Sequence, residues 1–344
     1  MDTHRLLLLI VALGLLGGAA GAGSVTSRPA FESADTPKLW ITNGVVKALV
    51  LLPDAKTGYY RGSRFDWSGL VARVECQGHT YFGEWKTPHD PEGNDDVVGT
   101  AEEFGTIYPG TSGPLGYVEA KPGEDFLKIG VGLLKKVEEP EYRFWFDYRI
   151  TKPGPWTVRH GPNWVEFRQD PSGANGYGYS YTKRIALPES RPELVIIRTL
   201  RNTGTKALAT SHYCHDFTII DGEPIGPNYR VRFPFAVTTK SDLEQRAELD
   251  GSTIAFPRAF REGESVFAEL AGFSSAVTDH AATIENLKSG AGVKIQGDTP
   301  LARFHFWATQ RAACPEPFVQ IELAPGEQAQ WQTRYSFFAQ ERSP

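Results

Sequence analysis

The sequence predicts an all-β protein, a large β-sandwich, on three observations. Apolar residues recur with a period of two, in short runs mostly bounded by Gly, Pro, Asn or Asp. The 344 residues include 35 Gly and 24 Pro, which break helices by excess backbone freedom and by a missing N–H. No long stretch keeps a helical period. With 40% hydrophobic and 22% charged residues, the chain has a globular composition, neither disordered nor fibrous.

The start of the chain reads differently. Arg5 precedes the apolar run Leu6 to Leu16, and small residues end in Ala20-Gly21-Ala22. That is the pattern of a secretory signal peptide over residues 1–22, since so short a run falls below the roughly 20 residues a bilayer span needs. The mature protein is therefore expected to be secreted or periplasmic, without a membrane span. Residues 23–37, rich in Ser, Thr, Ala and Pro, read as an exposed linker. No later stretch marks a boundary, so residues 38–344 are expected to form a single domain.

Strand-like runs then follow in order. Lys47 to Leu52 comes first. Leu70 to Cys76 and Thr80 to Trp85 flank a hairpin turn at Gln77-Gly78-His79. Phe126 to Leu134, Tyr142 to Ile150 and Trp156 to His160 lead through the turn Gly161-Pro162-Asn163 into Trp164 to Arg168. Tyr177 to Leu187, Leu194 to Leu200 and Leu208 to Ile220 continue the series. Tyr229 to Val237, Val266 to Leu270, Leu301 to Thr309, Val319 to Leu323 and Gln328 to Phe338 complete it. The least regular stretch, Lys86 to Gly123, reads as a long loop, of the kind that often carries binding residues.

Charge and cysteine content exclude several classes. With 36 basic against 41 acidic residues the net charge is −5, so the basic footprint of a nucleic-acid binder is missing. The three cysteines, Cys76, Cys214 and Cys314, make no CxxC spacing for zinc and read as small buried hydrophobes. Export would permit one disulfide and leave one thiol free. Cys214 and Cys314 adjoin the candidate site residues below and are expected to be neighbours. The acidic pairs Asp95-Asp96 and Glu102-Glu103 lack an EF-hand pattern and read as a solvated charge run.

Two short stretches carry candidate acid–base chemistry. In Ser211 to Thr218, strand alternation puts Tyr213, His215 and Phe217 on one face and His212, Cys214 and Asp216 on the other. A histidine between two aromatics suits a sugar cleft, where rings stack and the imidazole moves a proton; the alternative is a hydrogen-bonded core histidine. In Cys314-Pro315-Glu316-Pro317-Phe318, a loop carboxylate is held between two prolines, after the aromatic strand ending in Trp307. The densest polar and aromatic cluster, Tyr59 to Gly69, offers Arg64 as a sugar or carboxylate ligand and Trp67 as a stacking platform.

These stretches resemble the aldose 1-epimerase (galactose mutarotase) superfamily. His215-Asp216-Phe217 is similar to the family's catalytic His stretch, Glu316-Pro317 to its catalytic Glu-Pro, and Leu323 to Glu327 with Tyr335-Ser336-Phe337 to its closing run. The family's Asn-His-x-Tyr-Phe-Asn-Leu is replaced by Ser211 to Thr218, with His212 as a second histidine. The resemblance implies a β-supersandwich over about residues 40 to 340. It also implies His215 and Glu316 as catalytic and Arg64 and His89 as substrate-binding, to which Trp67 and Trp307 are added as expected aromatic substrate-binding residues. Glu316 would take the proton of a C1 hydroxyl while His215 protonates the ring oxygen, with no metal or organic cofactor. The implied partner is a mono- or oligosaccharide. A secreted uronate lyase or epimerase on the same fold, or a non-catalytic carbohydrate-binding protein, are the rival readings.

Overall fold

The structure is a computed structural model that describes residues 29–106, 113–139, 141–171, 173 and 175–340. The expected signal peptide lies outside the described residues, as do residues 23–28 of the expected linker. No helix among the described residues is long and apolar enough to cross a membrane. Phe31 is buried, and the backbone N–H groups of Ala30 and Phe31 donate to Glu84 Oε1. Ala30 and Phe31, inside the expected linker, are thus held by Glu84.

Among the described residues, strands account for the architecture, with two short 3₁₀ turns at Ala30–Glu32 and Val277–Asp279. A ten-stranded antiparallel sheet runs from Glu248–Asp250 at one edge to Thr157–Gly161 at the other, with Gln328–Ala339, Glu193–Asn202 and Tyr179–Ala186 adjacent within it. A six-stranded sheet contains β1 (Thr100–Phe104), β2 (Leu208–Asp216), β3 (Thr238–Thr239), β4 (Ser265–Ala271), β5 (Arg303–Thr309) and β6 (Ala312–Leu323), in the spatial order β3-β4-β5-β6-β2-β1. Sheets of four and three strands complete the fold.

Local chemistry explains much of this. Cys76 pairs with His79 across a two-residue turn in which Gln77 and Gly78 have φ of 52° and 81°, the left-handed geometry that matches strand twist. Phe126 to Leu134, expected as one run, is two strands, Asp125–Lys128 and Gly132–Lys135, joined through Gly130 at φ 82°. A Cβ on Gly130 would sit 2.7 Å from the Asp66 side chain. Tyr142 to Ile150 is not a strand: its aromatics pack as a cluster, with Tyr142 and Tyr148 stacked at 5.1 Å. Within the expected long loop Lys86 to Gly123 lies β1, all five residues of which are buried.

β1 overturns the reading of Glu102-Glu103 as a solvated run. Both carboxylates are fully buried and, one residue apart, point to opposite faces of the sheet. Glu102 faces the ten-stranded sheet, where it receives Arg198 at 2.6 Å, Lys183 at 3.3 Å and His212 Nε2 at 3.2 Å. Glu103 faces the other way and receives Arg64 Nε at 2.8 Å, Tyr213 Oη at 2.7 Å and Lys128 Nζ at 3.2 Å. The three cysteines are all free and buried. Cys214 shares the inter-sheet face with Asp216, whereas Cys314 shares the opposite face with Glu316, so the two are not the neighbours expected.

Candidate functional site

The register of the six-stranded sheet assembles the site. β2 and β6 pair from Leu208 with Leu323 to Tyr213 with Phe318, and the same register resumes at Thr218 with Ala313. His215 therefore stands directly opposite Glu316. Ala313 N donates to Thr218 O at 2.9 Å, so odd-numbered residues of β6 turn their nitrogens toward β2. Pro315 and Pro317 have no N–H to give there, and the ladder loses its bonds on both sides of the His215–Glu316 rung. The carbonyl of Asp216 instead accepts from the N–H of Thr218 at 2.7 Å and its hydroxyl at 3.2 Å. Glu316 was expected in a loop; it lies inside a twelve-residue central strand.

His215 Nε2 and Glu316 Oε1 are 3.1 Å apart. His215 lies flat on Phe217, with centroids 4.1 Å apart and planes 6° from parallel, and meets Trp307 edge-on at 5.3 Å. With Arg64 and Asp95, the pair lines a cavity of about 200 Å³. Its walls are aromatic: Phe217, Trp307, Trp85, Phe144 and Phe267. Trp85 stacks on Phe217 at 5.7 Å. Two buried atoms in this lining, Trp85 Nε1 and His215 Nδ1, have no hydrogen-bond partner among the described residues.

Burial sets the protonation of the pair. It pushes the Glu316 carboxyl up to about 8, Glu103 and Asp216 adding to the shift and Arg64 opposing it. Burial, reinforced by the Arg64 charge, holds the His215 imidazole well below its ordinary range. Near neutral pH burial thus favours the protonated, uncharged Glu316 carboxyl beside a neutral His215 imidazole. Arg64 is buried, stacked 4.4 Å from both Phe65 and Phe144, and committed to Glu103, Asp95 and the Tyr213 hydroxyl. Two carboxylates answer its single charge.

Four of the six residues singled out from the sequence meet here: His215, Glu316, Arg64 and Trp307. The other two do not. His89 stacks on Tyr59 at 3.8 Å, and its ring nitrogens are satisfied by Asp96 and the Tyr59 carbonyl, each at 2.8 Å, so it ties a loop down. Trp67 is buried in the core and donates its indole N–H to Gly62 O at 2.8 Å. His212, the rival histidine, faces away from the cavity. It accepts from Trp331 Nε1 at 3.2 Å, which places its own proton on the nitrogen facing Glu102, and burial pushes it down to about 4. Asp95 and Trp85 escaped the sequence reading. Asp95 sat in the apparent charge run, and Trp85 at the end of a strand-like run with nothing local to link it to His215. No group of three or more His, Cys, Asp or Glu side chains among the described residues could hold a metal ion.

No protein-family model matches the sequence, and no curated protein matches it either. Solved structures do match in fold. A galactose mutarotase-like protein from Clostridium acetobutylicum superposes with TM-score 0.55 at 14% identity, over 88% of this chain and 95% of that one. An Escherichia coli K12 protein provisionally assigned as an aldose 1-epimerase gives 0.52 at 14% identity, over 89% and 100%. A galactose mutarotase related enzyme from Lactobacillus acidophilus gives 0.50 at 12%, over 88% and 97%. The chain has the galactose mutarotase-like β-sandwich fold, as its own residues implied.

Proposed function

We propose that the protein interconverts the anomers of a reducing sugar. The observation that carries the proposal is the His215–Glu316 contact of 3.1 Å inside an aromatic-walled cavity. A pyranose has apolar C–H faces, which suit the aromatic walls, and polar hydroxyl edges, which suit Trp85 Nε1, Asp95 and the acid–base pair. The starting allocation favoured by burial has Glu316 protonated and His215 neutral. Glu316 gives its proton to the ring oxygen, His215 takes the proton of the C1 hydroxyl, and the C1–O5 bond breaks to leave an open-chain aldehyde. Rotation about C1–C2 presents the other carbonyl face. Reclosure returns the ring-oxygen proton to Glu316 and sends the His215 proton to the new C1 oxygen, so atoms and protons balance. This starting allocation is the reverse of the one the family resemblance implied.

The electrostatics argue against a uronate substrate. Arg64, the cation expected to meet a sugar carboxylate, is already neutralised by Glu103 and Asp95. Polarimetry of freshly dissolved α-glucose and α-galactose tests the proposal. Accelerated decay of rotation that E316Q abolishes supports it, whereas decay at the buffer rate for every sugar overturns it.

A further inference from the structure

The cavity opens onto a surface that a single sugar ring would leave unused. β4 and β5 pair in the register Phe267 with Trp307 and Glu269 with His305, and β5 continues it to β6 with Trp307 opposite Cys314 and His305 opposite Glu316. Two parallel rows of side chains therefore cross the same face of the sheet. One holds Phe217, Cys314, Trp307 and Phe267; the other holds His215, Glu316, His305 and Glu269. From β2 to β4 is three strand spacings, about 14 Å at the usual separation. The acid–base pair occupies one end of that distance.

The far end is exposed in a way sheet interiors are not. Phe267 is 46% exposed although it lines the cavity and packs edge-on against the buried His305 ring at 5.1 Å. Beside it, the Glu269 side chain is 59% exposed and lies 3.7 Å from Arg303, which projects on the same face. A half-exposed aromatic ring flanked by a carboxylate and a guanidinium suits a pyranose, whose apolar face would lie on Phe267 and whose rim hydroxyls would reach Glu269 and Arg303. Continuity with the cavity makes the occupant the next unit of the chain whose end ring reacts.

Resting on the anomer-interconverting reading, we infer that the substrate is a reducing oligosaccharide. Its terminal ring sits between His215 and Glu316, and its second ring is held over Trp307 and Phe267 by Glu269 and Arg303. The linkage leaves from the side of the reacting ring away from C1, so the reacting carbon stays free to open.

The test compares glucose with maltose, cellobiose and lactose, all of which carry glucose at the reducing end. At least one disaccharide is expected to show a kcat/KM about tenfold above glucose, a difference near 1.4 kcal/mol. Phe267→Ala should cut that ratio roughly fivefold and Glu269→Gln roughly twofold. Ratios at or below one for all three disaccharides, or a ratio unchanged in both variants, overturn the inference. If no sugar mutarotates faster than in buffer, the catalytic reading fails by itself. Tryptophan fluorescence titration with the same four sugars then still decides the second site: tighter disaccharide binding that Phe267→Ala removes supports it, and equal binding of glucose and disaccharides overturns it.

Discussion

His215 and Glu316 are in contact because they share one rung of the β2–β6 ladder, at 3.1 Å between Nε2 and Oε1, between two prolines that cannot bond across it. The sheet supplies rigidity, and Pro315 and Pro317 remove the backbone bonds on either side without shifting the register. Both candidate site side chains are thereby carried on strands rather than on a loop. That is how a site holds an acid and a base within reach of one ring.

The protonation of this pair sets a pH limit. Glu316 keeps its proton up to about 8, and His215 remains neutral throughout the physiological range. For the proposed anomer interconversion, kcat/KM is expected to be flat near neutrality and to fall as pH rises through about 8, when Glu316 loses its proton. E316Q should lose roughly 10²-fold or more in kcat. Initial rates between pH 5.5 and 9.5 check both statements; an acidic limb near pH 6.5 without an alkaline one would contradict them.

The same burial makes Glu316 a cost to stability at high pH. Its folded pKa is raised above the unfolded value, so its contribution is fully present below about pH 4.5 and is lost as pH rises through about 8. Removing the titrating proton should therefore help at alkaline pH. E316Q is expected to melt above the parent at pH 9 by an amount worth on the order of 2 kcal/mol, and to differ from it less at pH 5. Thermal melts of both proteins at the two pH values measure this.

How much of this the residues disclosed follows from the range of the interactions. Period-two patterning, the Gln77-Gly78 turn and the face shared by Tyr213, His215 and Phe217 are local, and all were legible. Glu316 was legible as a chemical group but not as part of a strand, because two prolines in three residues argue against a central strand wherever ladder bonds are assumed complete. The buried Glu102 and Glu103 were misread because their cations, Arg198, Lys183, Lys128 and Arg64, come from distant positions. Trp67 and His89 have the right chemistry, yet their polar atoms are spent on the Gly62 carbonyl and on Asp96 with the Tyr59 carbonyl.

The two histidines of the stretch should separate cleanly by function. His212 bridges Trp331 and Glu102 between the sheets and does not line the cavity. H212N is expected to lower stability by roughly 1–3 kcal/mol through unmatched buried groups, while kcat of the folded protein stays within about twofold. H215N should do the opposite, leaving the melting temperature near the parent value and abolishing turnover. Paired melting and rate measurements on the two variants decide whether the functional histidine is correctly placed.

Glu102 is the hub of a buried charge network between the sheets. It is fully buried and answers Arg198 at 2.6 Å and Lys183 at 3.3 Å, and these cations together with His212 and Tyr181 account for its oxygens. Against the penalty of burial, Arg198 and Lys183 hold its carboxyl well below the ordinary range, so it is charged at neutral pH. Replacing it with Gln keeps the shape but leaves Arg198 without a carboxylate partner among the described residues, and Lys183 with Asp66 at 3.5 Å and the Ser68 carbonyl at 2.7 Å. E102Q is expected to cost about 3–5 kcal/mol, the usual penalty for breaking a buried ion pair from one side. The surface pair Arg168–Asp170 gives the contrast: its side chains are 57% and 50% exposed, and D170N should change stability by less than about 1 kcal/mol. Urea titrations of the three proteins test the difference, and equal midpoints for E102Q and D170N would contradict a structural role for the Glu102 network.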